Sequence, residues 1–147
     1  MNPEQQSWIG NMQVAAAEAG HPFPAMAACE AAEESDFGRS LVATQFKNLF
    51  GTKRQIHEQY PSVCLPVREV LDGWKIHRDE WERYETFRDC FHDRLNTLIR
   101  LRQFYPHYAA ALDTKDQFIY LNEVSEFWHQ PDRAARVHQI FSDYTLA

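Results

Sequence analysis

The sequence predicts an α+β domain with a helical majority and a small antiparallel β-lobe inserted between helices. Apolar residues recur at helical spacing over residues 4–19 and again from Phe87 onward. Between these stretches, "SVCLPVREV" and "WKIHRDEWERYETF" flank "LDG", a pattern typical of a hairpin that turns at Asp72-Gly73. With 147 residues and 44% hydrophobic residues, the chain is expected to form one domain, residues 1–147, with a sizeable core.

Local signals predict where the individual elements begin and end. Gly20 ends the first helix, and Pro24 suits the first turn of the second, which is predicted over residues 25–34. This second helix is dense in alanine, so it can pack closely against its neighbours. The later elements are expected in this order: a short helix over 39–46, the β-lobe over about 54–87, a helix from Phe87, a shorter segment broken at Pro106, and helices over 115–127 and 132–144.

Composition and charge exclude several classes of partner. The formal net charge is −6 and no basic cluster stands out, so nucleic acid is not an expected partner. No run of 18 apolar residues occurs, so no membrane span is expected. The start "MNPEQQSWIG" lacks a basic region followed by an apolar stretch, so no secretory signal is expected. The chain is therefore predicted to be made in the cytoplasm and to need a separate carrier for any action outside it.

The residue types that hold metals or form nucleophilic sites do not occur in the necessary patterns. Cys29, Cys64 and Cys90 form no CxxC pair, so three free thiols are expected, with one disulfide left open. The seven histidines show no metal-ligand spacing on a clear helix. Ser35 and Ser40 lack the GxSxG frame of a nucleophile elbow. No metal or organic cofactor is expected.

Three glutamates lie close together near the end of the second helix. Glu30 and Glu34 are four residues apart and share a face, with Glu33 beside them. Like charges and closely packed surroundings would raise the pKa of at least one of them, as a general acid requires. The alternative is a solvated acidic stripe on the helix surface.

The residues after these acids form a recognisable motif. "EESDFGRS" at 33–40 is followed by "KNLFGTK" at 47–53. Together they resemble the glucosaminidases of glycoside hydrolase family 73, lysozyme-like enzymes that include flagellar muralytic and autolysin domains. The family pattern is Glu-Ser-Gly-aromatic-Gly-basic-Ser, then Asn-Asn-Leu-Phe-Gly-Ile-Lys. Here Asp36 replaces the glycine, Lys47 the first asparagine and Thr52 the isoleucine.

The resemblance implies a lysozyme-like fold and an endo-β-N-acetylglucosaminidase acting on the glycan strands of peptidoglycan. The bond cleaved would be the β-1,4 link between N-acetylglucosamine and N-acetylmuramic acid, with Glu34 as general acid. Glu69 matches the second glutamate that the family carries before a turn of the β-lobe, although it could also be an exposed strand residue. Retaining, inverting and substrate-assisted routes all remain open.

The resemblance also implies a set of substrate-binding residues. They are Ser35, Phe37, Asn48, Phe50, Tyr84 and Trp128. Ser35 and Gly38 would allow a tight exit from the helix, and Phe37 would pack beneath that turn. Tyr84 would bind the sugar or orient Glu34, or lie in the core. Trp74, Trp81 and Trp128 would stack on sugar rings or serve in packing.

The C-terminal part of the motif departs from the family. Near the end of the chain, "FWHQPDRA" places Arg133 where the family has a tyrosine thought to line the site. The departures at Asp36 and Arg133 leave open a module that binds glycan without cleaving it. A muramidase of the same fold also stays open, because lysozyme-like folds cleave on either side of the muramic acid.

Two carriers fit an enzyme without its own export signal. One is an interbacterial toxin with a periplasmic immunity protein that occludes the cleft in the producing cell. The other is a phage or prophage lysin released by a membrane-permeabilising partner.

Overall fold

A computed structural model describes residues 1–53, 61–70, 74–126 and 132–146. The described elements are α1 (Pro3–Glu18), α2 (Pro24–Ser35), α3 (Leu41–Phe46), β1 (Ser62–Val70), β2 (Trp74–Glu82), α4 (Phe87–Leu101), α5 (Pro106–Asp113), α6 (Gln117–Glu126) and α7 (Arg133–Leu146). The prediction of a mainly helical α+β fold with an inserted β-hairpin is confirmed. None of the helices within the described ranges combines the length and apolarity needed to cross a membrane.

The two strands form one antiparallel hairpin between α3 and α4. Their register pairs Ser62 with Glu82 at one end and Val70 with Trp74 at the other. An isolated bridge between Lys53 and Trp81 ties the preceding loop to β2. Both strands lie inside the predicted lobe of residues 54–87, whereas the predicted turn at 72–73 falls outside the described residues.

Helix starts are set by capping side chains and prolines. Asn2 accepts a hydrogen bond from the Gln5 backbone at 2.8 Å, and the Gln5 side chain accepts one from the Asn2 backbone at 3.1 Å, which completes a capping box. Thr86 caps α4 by accepting from the Asp89 backbone at 3.1 Å. The sequence predicts a break at Pro106, but Pro106 instead begins α5. Proline is tolerated there because the first turn of a helix needs no backbone N–H donor.

Helix α2 lies at the centre of the helical core. It packs against α1 on one side and α7 on another, and every residue from Met26 to Ala32 is buried. Small side chains allow this close approach, since alanine adds little bulk between two helix axes. The C-terminal end of α2 therefore emerges from the core with Glu33 and Glu34 at its rim.

Candidate active site

Helix α2 ends at Ser35, one residue after Glu34, and passes into a tight left-handed turn. The Ser35 hydroxyl donates to the Ala31 carbonyl at 2.6 Å and accepts from the Gly38 backbone at 2.8 Å. The next three residues, Asp36, Phe37 and Gly38, have φ values of 51°, 55° and 77°. This region favours glycine and strains a side chain such as that of Phe37. The geometry matches the tight exit expected from Ser35 and Gly38.

The turn is locked against α1. A Cβ atom added to Gly38 would lie only 2.7 Å from Nε1 of Trp8, so only glycine fits at this position. The Phe37 ring packs edge-on against Trp8, with centroids 6.1 Å apart. The Trp8 side chain of α1 therefore fixes the backbone that follows Glu34.

Glu34 is partly exposed and is bonded by a buried arginine. Its side chain is 23% exposed, and Oε1 accepts from Nε of Arg133 at 2.8 Å. Arg133 is completely buried at the start of α7. The other nitrogens of its guanidinium donate to Oγ of Ser125 at 2.8 Å and to Oε2 of Glu30 at 2.7 Å.

Glu30 is the buried acid of the cluster. It is 1% exposed, and Oε1 accepts from the Tyr120 hydroxyl at 2.7 Å. Burial acts to raise its pKa, but the guanidinium groups of Arg133 and Arg94 outweigh burial and hold that pKa below its usual value. Glu30 is therefore neither solvated nor a carboxyl group with a raised pKa.

A histidine extends this buried network. Nδ1 of His21 accepts from the Phe23 backbone at 3.0 Å, so Nε2 carries the proton of the neutral ring. Nε2 lies 3.2 Å from the Tyr120 hydroxyl, which donates onward to Glu30. Burial lowers the pKa of His21 to about 4. The neutral tautomer therefore satisfies every hydrogen bond in the network.

Glu33 forms a separate ion pair at the surface. Its Oε1 accepts from Nε of Arg136 at 2.5 Å, and the two side chains are 21% and 45% exposed. Glu30 is buried, whereas Glu33 and Glu34 are almost equally exposed and differ in their partners: Glu33 bonds the exposed Arg136, and Glu34 bonds the buried Arg133. Only Glu34 combines a fixed orientation from the core with access to solvent.

The second motif braces the base of the β-hairpin. Asn48 is completely buried; its Nδ2 donates to the carbonyls of Thr52 and Glu82 at 2.9 Å, and its Oδ1 accepts from the Thr52 backbone at 2.9 Å. Phe50 is 6% exposed and packs edge-on against Phe91. Both side chains are buried, and their role in shaping the floor of the site and their contact with substrate stay predictions.

Tyr84 also lies below the surface. It is 3% exposed, and its hydroxyl donates to Oδ2 of Asp93 at 2.5 Å. Burial raises the pKa of this phenol well above its usual value. These contacts favour the core position that the sequence left open over a role in orienting Glu34.

For most of the remaining predicted site residues, the side chain lies outside the described residues. Glu69 lies in β1 opposite Lys75, and its side chain is outside the described residues, as is that of Trp74. Trp128 is outside them altogether. The Trp81 ring is partly buried, and Nζ of Lys53 lies over it, 5.6 Å from the ring centroid.

The mainly helical fold with a β-hairpin inserted between helices, and with a partly exposed glutamate near the C-terminal end of buried α2, is that of a lysozyme-like glycoside hydrolase domain. The chain belongs to the glucosaminidase family, because the family's sequence model, described as mannosyl-glycoprotein endo-beta-N-acetylglucosaminidase, matches residues 10–146. The predicted membership in glycoside hydrolase family 73 is confirmed.

A curated relative agrees with this assignment. The exo-glucosaminidase LytG of Bacillus subtilis is 28% identical over 151 residues, which cover 97% of this chain and 52% of LytG. The chain therefore spans about half the length of that relative.

Two solved structures share the fold. The catalytic domain of the autolysin Auto from Listeria monocytogenes superposes with a TM-score of 0.80 at 20% identity, covering 99% of this chain and 87% of that one. A glycoside hydrolase domain of FlgJ from Salmonella typhimurium gives a TM-score of 0.75 at 17% identity, covering 97% and 99%.

Proposed function

We propose that this chain hydrolyses the β-1,4 bond between N-acetylglucosamine and N-acetylmuramic acid in peptidoglycan, with Glu34 as general acid. The observation that carries the proposal is the position of Glu34, which is partly exposed at the end of a buried helix and is oriented by Arg133. Membership in the glucosaminidase family supports the reaction class.

The geometry supports a specific role for each oxygen of Glu34. Arg133 bonds Oε1, so Oε2 is the oxygen proposed to deliver the proton to the leaving glycosidic oxygen. Glu69, carried by β1, is proposed as the second carboxylate, which activates water or stabilises the oxocarbenium-like transition state. Protonation of the leaving oxygen by Glu34 is common to both roles.

The experiment is digestion of purified peptidoglycan by wild type and by Glu34→Gln, with new reducing ends identified by mass spectrometry after reduction. The Gln variant keeps the size and polarity of the side chain but cannot act as an acid. Reduced N-acetylglucosamine ends from wild type, and none from the variant, are expected. Reduced muramic ends would assign a muramidase, and binding without release from either protein would assign a glycan-binding module.

The same digestion distinguishes attack within a strand from attack at its end. The proposal is endo cleavage, whereas the relative LytG is named an exo-glucosaminidase. Endo cleavage shortens long glycan strands early and yields oligosaccharides of mixed length. Exo cleavage releases small products while most strands keep their length.

For delivery, we propose an interbacterial toxin that acts in the periplasm or cell wall of a neighbouring cell. The support is the acidic composition, with a net charge of −6 and no basic run to bind the wall. Such a toxin requires an immunity protein that occludes the cleft. Expression targeted to the periplasm should lyse cells with wild type but not with Glu34→Gln, and a protective neighbouring gene would support the toxin. A neighbouring holin gene would instead assign a phage lysin.

A further inference from the structure

We infer that Arg133 is a positioning residue for Glu34, an inference that rests on the proposed reaction. Arg133 has no exposed surface, yet its Nε bonds the partly exposed carboxyl group of Glu34 at 2.8 Å. One side chain therefore connects the reactive group at the rim to the interior of the domain.

The guanidinium group is anchored on its far side by two further bonds. One goes to Oε2 of Glu30 at 2.7 Å and the other to Oγ of Ser125 on α6 at 2.8 Å. Glu30 is itself fixed by the Tyr120 hydroxyl at 2.7 Å. Because guanidinium is planar and rigid, these anchors also fix the direction of its Nε–H. Helices α2, α6 and α7 together thus determine where the Glu34 carboxyl group lies.

Fixing this carboxyl group has a catalytic consequence. A glutamate at a surface rim can adopt several rotamers, and only some place an oxygen where it can reach the leaving group. A displacement of about 1 Å in a reacting group can cost roughly a hundredfold in rate. The bond to Arg133 selects one orientation and leaves Oε2 to face the substrate.

The same pair of helices supplies a matched control. Arg136 lies one turn after Arg133 on α7 and bonds Glu33, the neighbour of Glu34, also through Nε. The ion pairs between α2 and its neighbours involve Glu30, Glu33 and Glu34 of α2, Arg133 and Arg136 of α7, and Arg94 of α4. Nη2 of Arg94 lies 3.9 Å from Oε2 of Glu30. Arg136→Gln removes an α2–α7 ion pair without touching Glu34.

The test measures kcat and KM on soluble peptidoglycan fragments for wild type, Arg133→Gln and Arg136→Gln, normalised to folded protein by circular dichroism. Arg133→Gln is expected to lower kcat by about a hundredfold and to change KM by less than about threefold. Arg136→Gln is expected to stay within about twofold of wild type, as its exposed pair contributes little. Arg133→Lys should restore part of kcat, because an ammonium group can bond Glu34 but lacks the fork that reaches Glu30 as well.

The split between kcat and KM separates positioning from a purely structural role. Because rates are normalised to folded protein, a variant that only loses folded protein keeps the kcat of wild type. A fall in kcat at nearly unchanged KM therefore reports the lost orientation of the Glu34 carboxyl group.

A second variant covers the case in which Arg133→Gln does not fold. That change leaves the Glu30 carboxylate buried without its main partner, whereas the double variant Glu30→Gln/Arg133→Gln removes both charges together. The double variant should fold and show the same loss of kcat. A wild-type kcat in the folded double variant would overturn the inference.

The two proposals fail in different ways. A wild type that releases no sugar ends from peptidoglycan overturns the proposed reaction and this inference with it. If Glu34→Gln abolishes activity but Arg133→Gln leaves kcat unchanged, the positioning role alone is overturned.

Discussion

Two ion-pair layers join α2 to α7, and they differ in burial rather than in residue type. The inner layer consists of Glu30, Glu34 and Arg133, and the outer layer of Glu33 and Arg136. Arg133 is fully buried, whereas Arg136 is 45% exposed. Charges removed from water depend on their partners, while charges at the surface are stabilised by water and screened by salt. The same acidic run in the sequence therefore contains one layer that the fold depends on and one that it does not.

The largest expected effect is the loss of one partner from the inner layer. Arg133→Gln should lower the free energy of unfolding by about 3–5 kcal/mol, because it strands the buried carboxylate of Glu30. The double variant Glu30→Gln/Arg133→Gln should recover most of that loss, since it leaves no buried charge of the pair. Urea unfolding of both variants measures the difference. Equal losses in both would show that packing, not charge, governs this layer.

The next effect is the pH dependence contributed by His21, which joins the inner layer through Tyr120. Its pKa is about 4 in the folded protein against an ordinary value of 6.5, so between these pH values the unfolded chain binds a proton that the folded protein does not. The stability contribution is complete above pH 6.5 and is lost as pH falls to about 4, by roughly 3 kcal/mol in total. Protonation would also place a proton on Nδ1, against the backbone N–H of Phe23.

The measurement is the free energy of unfolding from pH 7.5 to 4 for wild type and for His21→Gln. The Gln variant should show a shallower decline between pH 6.5 and 4. Glu30 contributes in the same direction, but only below its ordinary pKa of 4.5, so the two contributions occupy different pH windows. Identical slopes for the two proteins would exclude His21 as the source.

The elements of the fold were predictable because their signals are local. Capping residues, prolines and apolar spacing lie within a few positions of each boundary, so the predicted helices differ from the observed ones by only a few residues. The site was predictable to the extent that its motif is contiguous, as at Glu34 and the turn after it.

The inner layer could not be predicted because its partners are distant in sequence. Arg133 is 103 residues from Glu30, and Tyr120 is 90 residues away. Asn48 raises a related difficulty, since its buried amide bonds the backbone of β2. A polar residue in a motif looks the same in the sequence whether it faces a cleft or satisfies the core. The one available signal was Arg133 itself, as a cation in place of an expected tyrosine.

A smaller effect is expected in the outer layer. Arg136→Gln should lower the free energy of unfolding by no more than about 1 kcal/mol, because both partners keep contact with water. The loss should shrink further in high salt, which screens exposed pairs. Urea unfolding at low and at high ionic strength provides the measurement. A loss comparable with that of Arg133→Gln would remove the distinction between the two layers.

The smallest net effect tests an exposed pair against backbone strain. Asp36 and Arg39 form a 2.7 Å ion pair, but their side chains are 69% and 63% exposed, and Asp36 has a φ of 51°. Asp36→Gly removes the pair and relieves the left-handed strain, while glycine adds conformational freedom to the unfolded chain. These terms nearly offset, so the free energy of unfolding should stay unchanged or rise by up to about 1 kcal/mol. Gly38→Ala is the matched control at the same turn: it should destabilise, because its Cβ would meet Trp8 at 2.7 Å. A clear loss of stability in Asp36→Gly would mean that this exposed pair contributes more than the strain it accompanies.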